Sequence, residues 1–330
     1  MRFLDIGKQR ATKISLLRRV NETMYNSARS KFMFPSISSG KVCVRVAIAG
    51  ATVLVGFSTT AAPQPIKSGG GKHCLWRVTN AKAPFYLLGT MHSLPLRNWK
   101  FPPVIENAIR ESHQFWFEID PNRSDLFVKK ITTAAKYPPG TTIRNKVDPK
   151  TYAAVMQRTP SGVSWWAQLK PWAIALIMHD SRLQIYSGEY GADNHVLEEA
   201  KMRSCPVGGL ETMDEHIRVF SDMNDTEGEV FLLQTMIYEN EDAKNAKARL
   251  AEWETGNCEQ IYSETLPRMK EAPSVWWRIV DHRNGMWVPR IDSEIRKGIP
   301  TMIVAGALHF CGPHGVIGLL QKRGYKIEQL

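Results

Sequence analysis

The chain has 330 residues, 43% hydrophobic and 23% charged, enough to bury a large core as one α/β domain or two smaller ones and ordinary for a globular protein. Its net charge of +11 invites a nucleic-acid reading, but residues 1–62 hold 10 Lys/Arg against 2 Asp/Glu, so most of the excess sits there. The remaining 33 basic and 30 acidic residues leave no basic stripe for a phosphate backbone, and nucleic acid is excluded as the expected partner.

The first 62 residues read as a basic extension with a signal-like segment. In "GKVCVRVAIAGATVLVGFSTTAAPQP", Lys41 and Arg45 precede an apolar stretch at 46–57, followed by small residues. The stretch falls short of the roughly 20 residues a comfortable membrane span needs. It predicts a secretory signal cleaved near Ala61 or Ala62, and translation from Met24 or Met33 would shorten the long basic lead. An uncleaved anchor at 46–57 is the alternative. Either way the N-terminal segment would engage the secretion machinery or a membrane, and the protein would be exported to the periplasm or cell envelope. Residues 63–73, "PQPIKSGGGKH", read as a flexible linker, and 74–330 as a single domain. Cleavage would leave Cys74, Cys205, Cys258 and Cys311, too few for a disulfide scaffold but enough for one or two bridges of unassigned pairing.

Beyond the linker, "CLWRVT" alternates as a strand and "FYLLGTMH" follows as a second. "PPVIENAIRESHQ" has helical spacing, and "FWFEID" is a short strand ending near Glu118, expected beside the first histidine strand. A helical middle region is expected over about 124–200, closing with "GADNHVLEEAKMRS", a helix capped by its Asp/Asn. "CPVGGLET" is a strand stopping at Glu211, and 212–296 is again helical. "TMIVAGALHF" is a near-continuous apolar strand, "GVIGLLQKRGY" a closing helix and "KIEQL" an edge strand. Strand, helix and strand in alternation predict an α/β (or α+β) fold: a mixed central sheet flanked by helices, with a helical insertion and a site at the C-terminal ends of the strands.

Four groups able to bind metal or move protons, His92, Glu118, Glu211 and His309, stand at such strand ends. Each histidine follows a glycine by three residues, Gly89 and Gly306, where a missing Cβ lets a neighbouring backbone or ligand come close. Any one of them could be an ordinary loop residue or helix cap; it is the coincidence of four that points to a site. Two imidazoles and one or two carboxylates suit a divalent ion such as Zn, Mn or Co. Such an ion would lower the pKa of a bound water and polarise a carbonyl, with a carboxylate as general base. Arg283 could offer a donor fork to an intermediate or a substrate carboxylate, Asn284 could orient water, and His314 is an extra ligand or a bystander. Trp165, Trp166, Trp172, Trp276 and Trp277 fall where helices need packing mass or where a peptide groove would be lined.

The ordered set "LLGTMH", "FWFEID", "YGADNHVLEE", "GLET", "RNGMW" and "AGALHF" resembles the TraB/GumN family, which includes the Tiki proteins, over about residues 74–330. The resemblance implies an α/β core with a helical insert. For Tiki-like members it also implies a metal-dependent peptidase activity using both Gly-x-x-His motifs and an acidic residue. Carried over residue by residue, it implicates Gly89, His92, Glu118, Gly306 and His309, with Glu211, Arg283 and Asn284 added by the "GLET" and "RN" matches. The expected function is a metallopeptidase or related metal-dependent hydrolase acting on peptides or proteins. The alternative is a non-catalytic regulatory protein of the cell envelope that binds a metal or small ligand.

Overall fold

The computed structural model describes residues 6–27, 71–92, 94, 100–158, 165–182 and 191–330. The signal-like segment at 46–57 and most of the 63–73 linker lie outside the described residues. In chain order the helices and strands are α1 (Ile6–Ser27), β1 (Leu75–Val78), β2 (Phe85–Thr90), α2 (Pro103–Glu111), β3 (Gln114–Phe117), α3 (Ser124–Ala134), α4 (Pro149–Arg158), α5 (Pro171–Arg182) and α6 (Ala192–Met202). They continue with β4 (Val207–Gly209), α7 (Met213–Ser221), α8 (Asp225–Glu254), α9 (Cys258–Glu271), α10 (Pro273–Trp276), α11 (His282–Lys297), β5 (Thr301–Gly306), α12 (Val316–Gln321) and β6 (Ile327–Gln329).

The strands form one six-stranded mixed sheet in the order β4-β3-β5-β2-β1-β6. β4, β3, β5 and β2 run parallel, and β1 pairs antiparallel with both β2 and β6. All six residues of β2 and five of six in β5 are buried, which is why both read as continuous apolar runs: helices cover both faces of the central strands. The strand ending before Glu118 does not lie beside the first histidine strand. β5 is inserted between them, pairing with β2 on one edge and β3 on the other. Strand order of this kind follows from a late segment entering the sheet and leaves no mark in local periodicity.

Two apolar clusters divide the interior. One gathers the sheet with residues of α2, α6, α11 and α12, including Ile109, Val196, Trp287, Ile291 and Leu320. The other is mostly helical, with Phe127, Val155, Trp172, Phe220, Leu233 and Val275 from the α3–α5, α7, α8 and α10 helices, Trp166 from a 3-10 turn at Trp165–Gln168, and Leu16, Leu17 and Val20 of α1. This second cluster is the helical insertion, and Trp166 and Trp172 are part of its packing. Local chemistry fixes its helix starts. Thr212 with Glu215, and Asn224 with Glu227, form reciprocal capping boxes at α7 and α8. Among the described residues no helix is long and apolar enough to cross a membrane.

Candidate functional site

The parallel strands deliver their C-terminal ends to one edge of the sheet. His92 follows β2 by two residues, Glu118 follows β3 directly, Glu211 follows β4 by two, and His309 sits in a 3-10 turn, Ala307–Phe310, after β5. The β2–β5 register pairs Gly89 with Ala305 and Thr90 with Gly306, so the two Gly-x-x-His segments lie side by side. Their glycines serve each other. A Cβ on Gly89 would stand 3.0 Å from Ala307 Cα in the turn bearing His309. A Cβ on Gly306 would stand 3.0 Å from His92 Nε2 and 3.5 Å from Glu118 Oε1. Each motif's glycine thus makes room for the other motif.

Arg283 joins these ends. A single π-helical turn, Trp277–Asp281, leads into α11, whose buried face carries Arg283, Asn284, Trp287 and Ile291; widened turns of this kind recur at functional sites. The Arg283 guanidinium donates from Nη2 to Glu118 Oε2 at 2.6 Å and to Glu211 Oε1 at 2.7 Å, and from Nε to both Glu211 oxygens at 3.1 Å. Its Nη1 lies 3.2 Å from His309 Nε2, and its plane covers the Trp287 ring at 4.6 Å. Burial works against the charge, but the two carboxylates hold the guanidinium protonated, its pKa raised above the ordinary value. Burial alone would raise both carboxyls as well, yet Arg283 overrides it. Glu118 is held well below the carboxylate range, helped by His92 and the Gly306 N–H at 2.9 Å. Glu211 is lowered to about 2 by Arg283 and His216.

The imidazoles are oriented through Nδ1. Asn284 donates from Nδ2 to the His314 carbonyl at 2.9 Å, so its Oδ1, 2.7 Å from His309 Nδ1, accepts a hydrogen bond from the N–H of that nitrogen. His309 is therefore the neutral tautomer with a bare Nε2, lowered to about 3 by burial and by Arg283. His92 Nδ1 lies 2.9 Å from Asp193 Oδ2, and Nε2 lies 3.7 Å from Glu118 Oε1. Partial loss of water around the ring opposes its protonation, but Asp193 and then Glu118 raise it to about 9. With 43% of its side chain exposed, His92 is the solvent-facing member, whereas Arg283, Glu211 and His309 are buried.

Glu211 has little capacity left. Besides Arg283, it accepts from Trp287 Nε1 at 2.9 Å and lies 2.5 Å from His216 Nδ1. That short contact assigns the proton to His216 Nδ1 and makes the 3.2 Å approach of Arg283 Nη2 to the same nitrogen a contact between donors. Asn284, fully buried, orients His309. His314 contributes its carbonyl, and its own side chain is exposed.

Three participants were invisible in the sequence reading. Asp193, expected as a cap for α6, makes no cap hydrogen bond; Gly191 is the N-cap, and Asp193 accepts from Thr90 Oγ1 at 2.7 Å while holding His92. An acid in the first turn of a helix looks like a cap whichever way its carboxylate turns. His216 and Trp287 stand within helical stretches with no motif around them, and their spacing, five residues after Glu211 and four after Arg283, is the one signal the sequence carries. The cysteine pairing, open in the sequence, is Cys258 with Cys311 at a Cα separation of 5.3 Å, which ties the start of α9 to the loop two residues beyond His309. Cys74 and Cys205 are free, and burial pushes the Cys74 thiol up to about 12.

Among the described residues no three His, Cys, Asp or Glu side chains are gathered closely enough to hold an ion as they stand. By donor chemistry, His92 Nε2, His309 Nε2 and Glu118 suit a divalent transition ion, since both imidazoles have Nδ1 fixed on an oxygen, the arrangement that turns Nε2 into a ligand. The cations now among them are the Arg283 guanidinium and the protonated His92 ring, whose Nε2 proton an ion would have to displace. No curated protein and no solved structure matches the chain. Residues 74–329 match the profile of the TraB/PrgY/gumN family, and with that span covering the sheet, the helical layer and every residue of the cluster, the chain belongs to that family.

Proposed function

We propose that the protein is a metal-dependent hydrolase, acting first on peptides, with a divalent ion (Mn, Co or Zn) held by His92, His309 and Glu118. One observation carries the reading: two imidazoles from separate strands each have Nδ1 tied to an acceptor, Asp193 Oδ2 and Asn284 Oδ1, and each sets Nε2 close to Glu118 or to the guanidinium that holds it. A bound ion would supply a low-pKa water and polarise a carbonyl. Glu118 Oε2 is committed to Arg283, leaving Oε1, which accepts from Gly306 N–H and faces His92, to ligate or to take a proton from water. Its depressed pKa favours the anionic ligand, because a general base works best with a pKa near the operating pH. Glu211 and Trp287 anchor Arg283, and Arg283 keeps Glu118 ionised. Peptides are the substrate class that the resemblance to Tiki proteins implies. We also place the protein outside the cytoplasm, a reading supported by the Cys258–Cys311 bridge and the signal-like 46–57 stretch.

A second reading has its own observation. Arg283 occupies both oxygens of Glu211 and one of Glu118, so the cluster could serve a regulatory protein that binds a ligand without turnover. The two separate in one experiment: elemental analysis after dialysis against Mn, Co and Zn for wild type, His92→Ala and His309→Ala, coupled to a peptide-library cleavage screen. About one ion per chain in wild type, lost from both variants, with cleavage in wild type alone, is expected. Retention of the ion by both variants, or no binding in wild type, would end the metal reading. An ion bound without cleavage would favour the regulatory protein.

A further inference from the structure

Helix α1 lies outside the residues that match the family, yet it is packed into the helical layer built by them. Its Leu16, Leu17 and Val20 are buried in one cluster with Ala154 and Val155 of α4, Leu233, Met236 and Ile237 of α8, and Val275 of α10. Acidic groups line the same groove. Glu229, with only 1% of its side chain exposed, takes Lys13 Nζ at 2.6 Å while accepting from Thr151 Oγ1 at 2.6 Å and the Asp148 N–H at 2.8 Å. Glu271 pairs with Arg19, whose guanidinium lies 5.2 Å over the Tyr238 ring. Gln9 reaches Ser274 Oγ at 3.5 Å.

The domain thus owns an apolar groove with two carboxylates on its walls, and its occupant comes from a segment separated from β1 by a long connection that includes the signal-like stretch. A buried carboxylate such as Glu229 is costly without a cation, so the groove selects for charge as well as for an apolar face. The matching helix carries a base at one position, leucines three and four later, a base six later and valine seven later, the pattern met by Lys13, Leu16, Leu17, Arg19 and Val20.

We propose that the α4–α8–α10 groove is a receptor whose occupant is the basic amphipathic helix of residues 6–27, a separable element that can leave the domain and rebind it in trans once the connection to β1 is cut. The reading is independent of the hydrolase. The test places a specific protease site within residues 63–72 of the full chain, cuts the folded protein, and separates the released N-terminal fragment. A labelled peptide of residues 6–27 is then titrated and followed by fluorescence anisotropy. The cut, fragment-depleted chain should bind the peptide saturably and the uncut chain should not. Lys13→Glu or Arg19→Glu in the peptide should weaken binding at least about tenfold, consistent with loss of a paired charge. Glu271→Arg in the domain should restore the Arg19→Glu peptide. Four results would overturn the proposal: binding of a scrambled peptide of equal charge as tight as the native one, a fragment that excess peptide cannot displace, loss of cooperative unfolding when the fragment leaves, or self-association of the cut chain that shuts the groove.

Discussion

Arg283→Met tests the charge cluster without reference to any ligand. The substitution keeps much of the side-chain volume but leaves Glu118 and Glu211 without the cation that each faces at 2.6–2.7 Å. Breaking a buried ion pair from one side costs about 3–5 kcal/mol. Protonation caps that cost: taking a carboxyl with an ordinary pKa of 4.5 to its neutral form at pH 7 requires about 3.4 kcal/mol. Glu211 keeps His216 and Trp287, and Glu118 keeps the Gly306 N–H, so a loss of about 3–5 kcal/mol at pH 7 is expected, against a total of about 5–15 for a folded domain. The sign of the pH dependence is the sharper outcome. In wild type, Glu211 is lowered to about 2, so its contribution is present above pH 4.5 and lost as pH falls toward 2. Neutral His309, lowered to about 3, likewise loses its contribution as pH falls below 6.5. In the variant the carboxyls are raised, their destabilisation vanishes on acidification, and the stability deficit relative to wild type should shrink by roughly 2–5 kcal/mol between pH 7 and 5. Urea unfolding at several pH values reads both quantities. A loss under about 1 kcal/mol at pH 7, or a variant whose stability follows the wild-type pH curve, would refute the assignment of Arg283 as the counter-ion of both carboxylates.

Asp193→Asn should return His92 toward its ordinary pKa. Because the wild-type value is raised to about 9, the His92 contribution is full below about pH 6.5 and lost as pH rises through 9; the variant should flatten that alkaline decline in the metal-free chain, as read by unfolding from pH 6 to 10. It should also weaken metal binding about 10- to 100-fold through the loosened imidazole. Gly306→Ala places a Cβ 3.0 Å from His92 Nε2 at a backbone φ of −53° that any residue adopts; thermal stability should hold to within a few degrees while metal uptake and cleavage fall. Cys258→Ser with Cys311→Ser opens a loop of 53 residues, and the chain-entropy relation gives a loss of about 4 kcal/mol, measurable as a lower denaturation midpoint that reducing agent does not shift further.

The sheet was legible because its central strands are apolar over their full length and end at residues that do not belong in a core. Glu118 and His309 announced themselves as polar breaks in apolar runs, and this depends on local chemistry alone. The partners of those residues were not legible in the same way. Asp193 sits in a helical first turn, where an acid is favoured by the helix dipole whether or not it reaches across to β2. Arg283 and Asn284 differ from surface residues of α11 only in rotation about the helix axis, and the π turn ahead of them sets that rotation. The placement of β5 between β2 and β3, and the pairing of Cys258 with Cys311, are long-range facts decided by packing.

The position of β5 governs when this molecule can fold. A strand contributed by residues 301–306 of a 330-residue chain lies between strands that emerge some two hundred residues earlier. Until it arrives, β2 and β3 have no common neighbour, their inner edges are unpaired, and Glu118 lacks the Gly306 N–H. A chain growing from its N-terminus can build the helical layer of α3–α5, α7 and α8 from local contacts, but it cannot close the sheet before residues 301–306 have been made. The nascent protein therefore carries two open β edges until those residues emerge, and a truncation before residue 301 would leave them as permanent templates for aggregation.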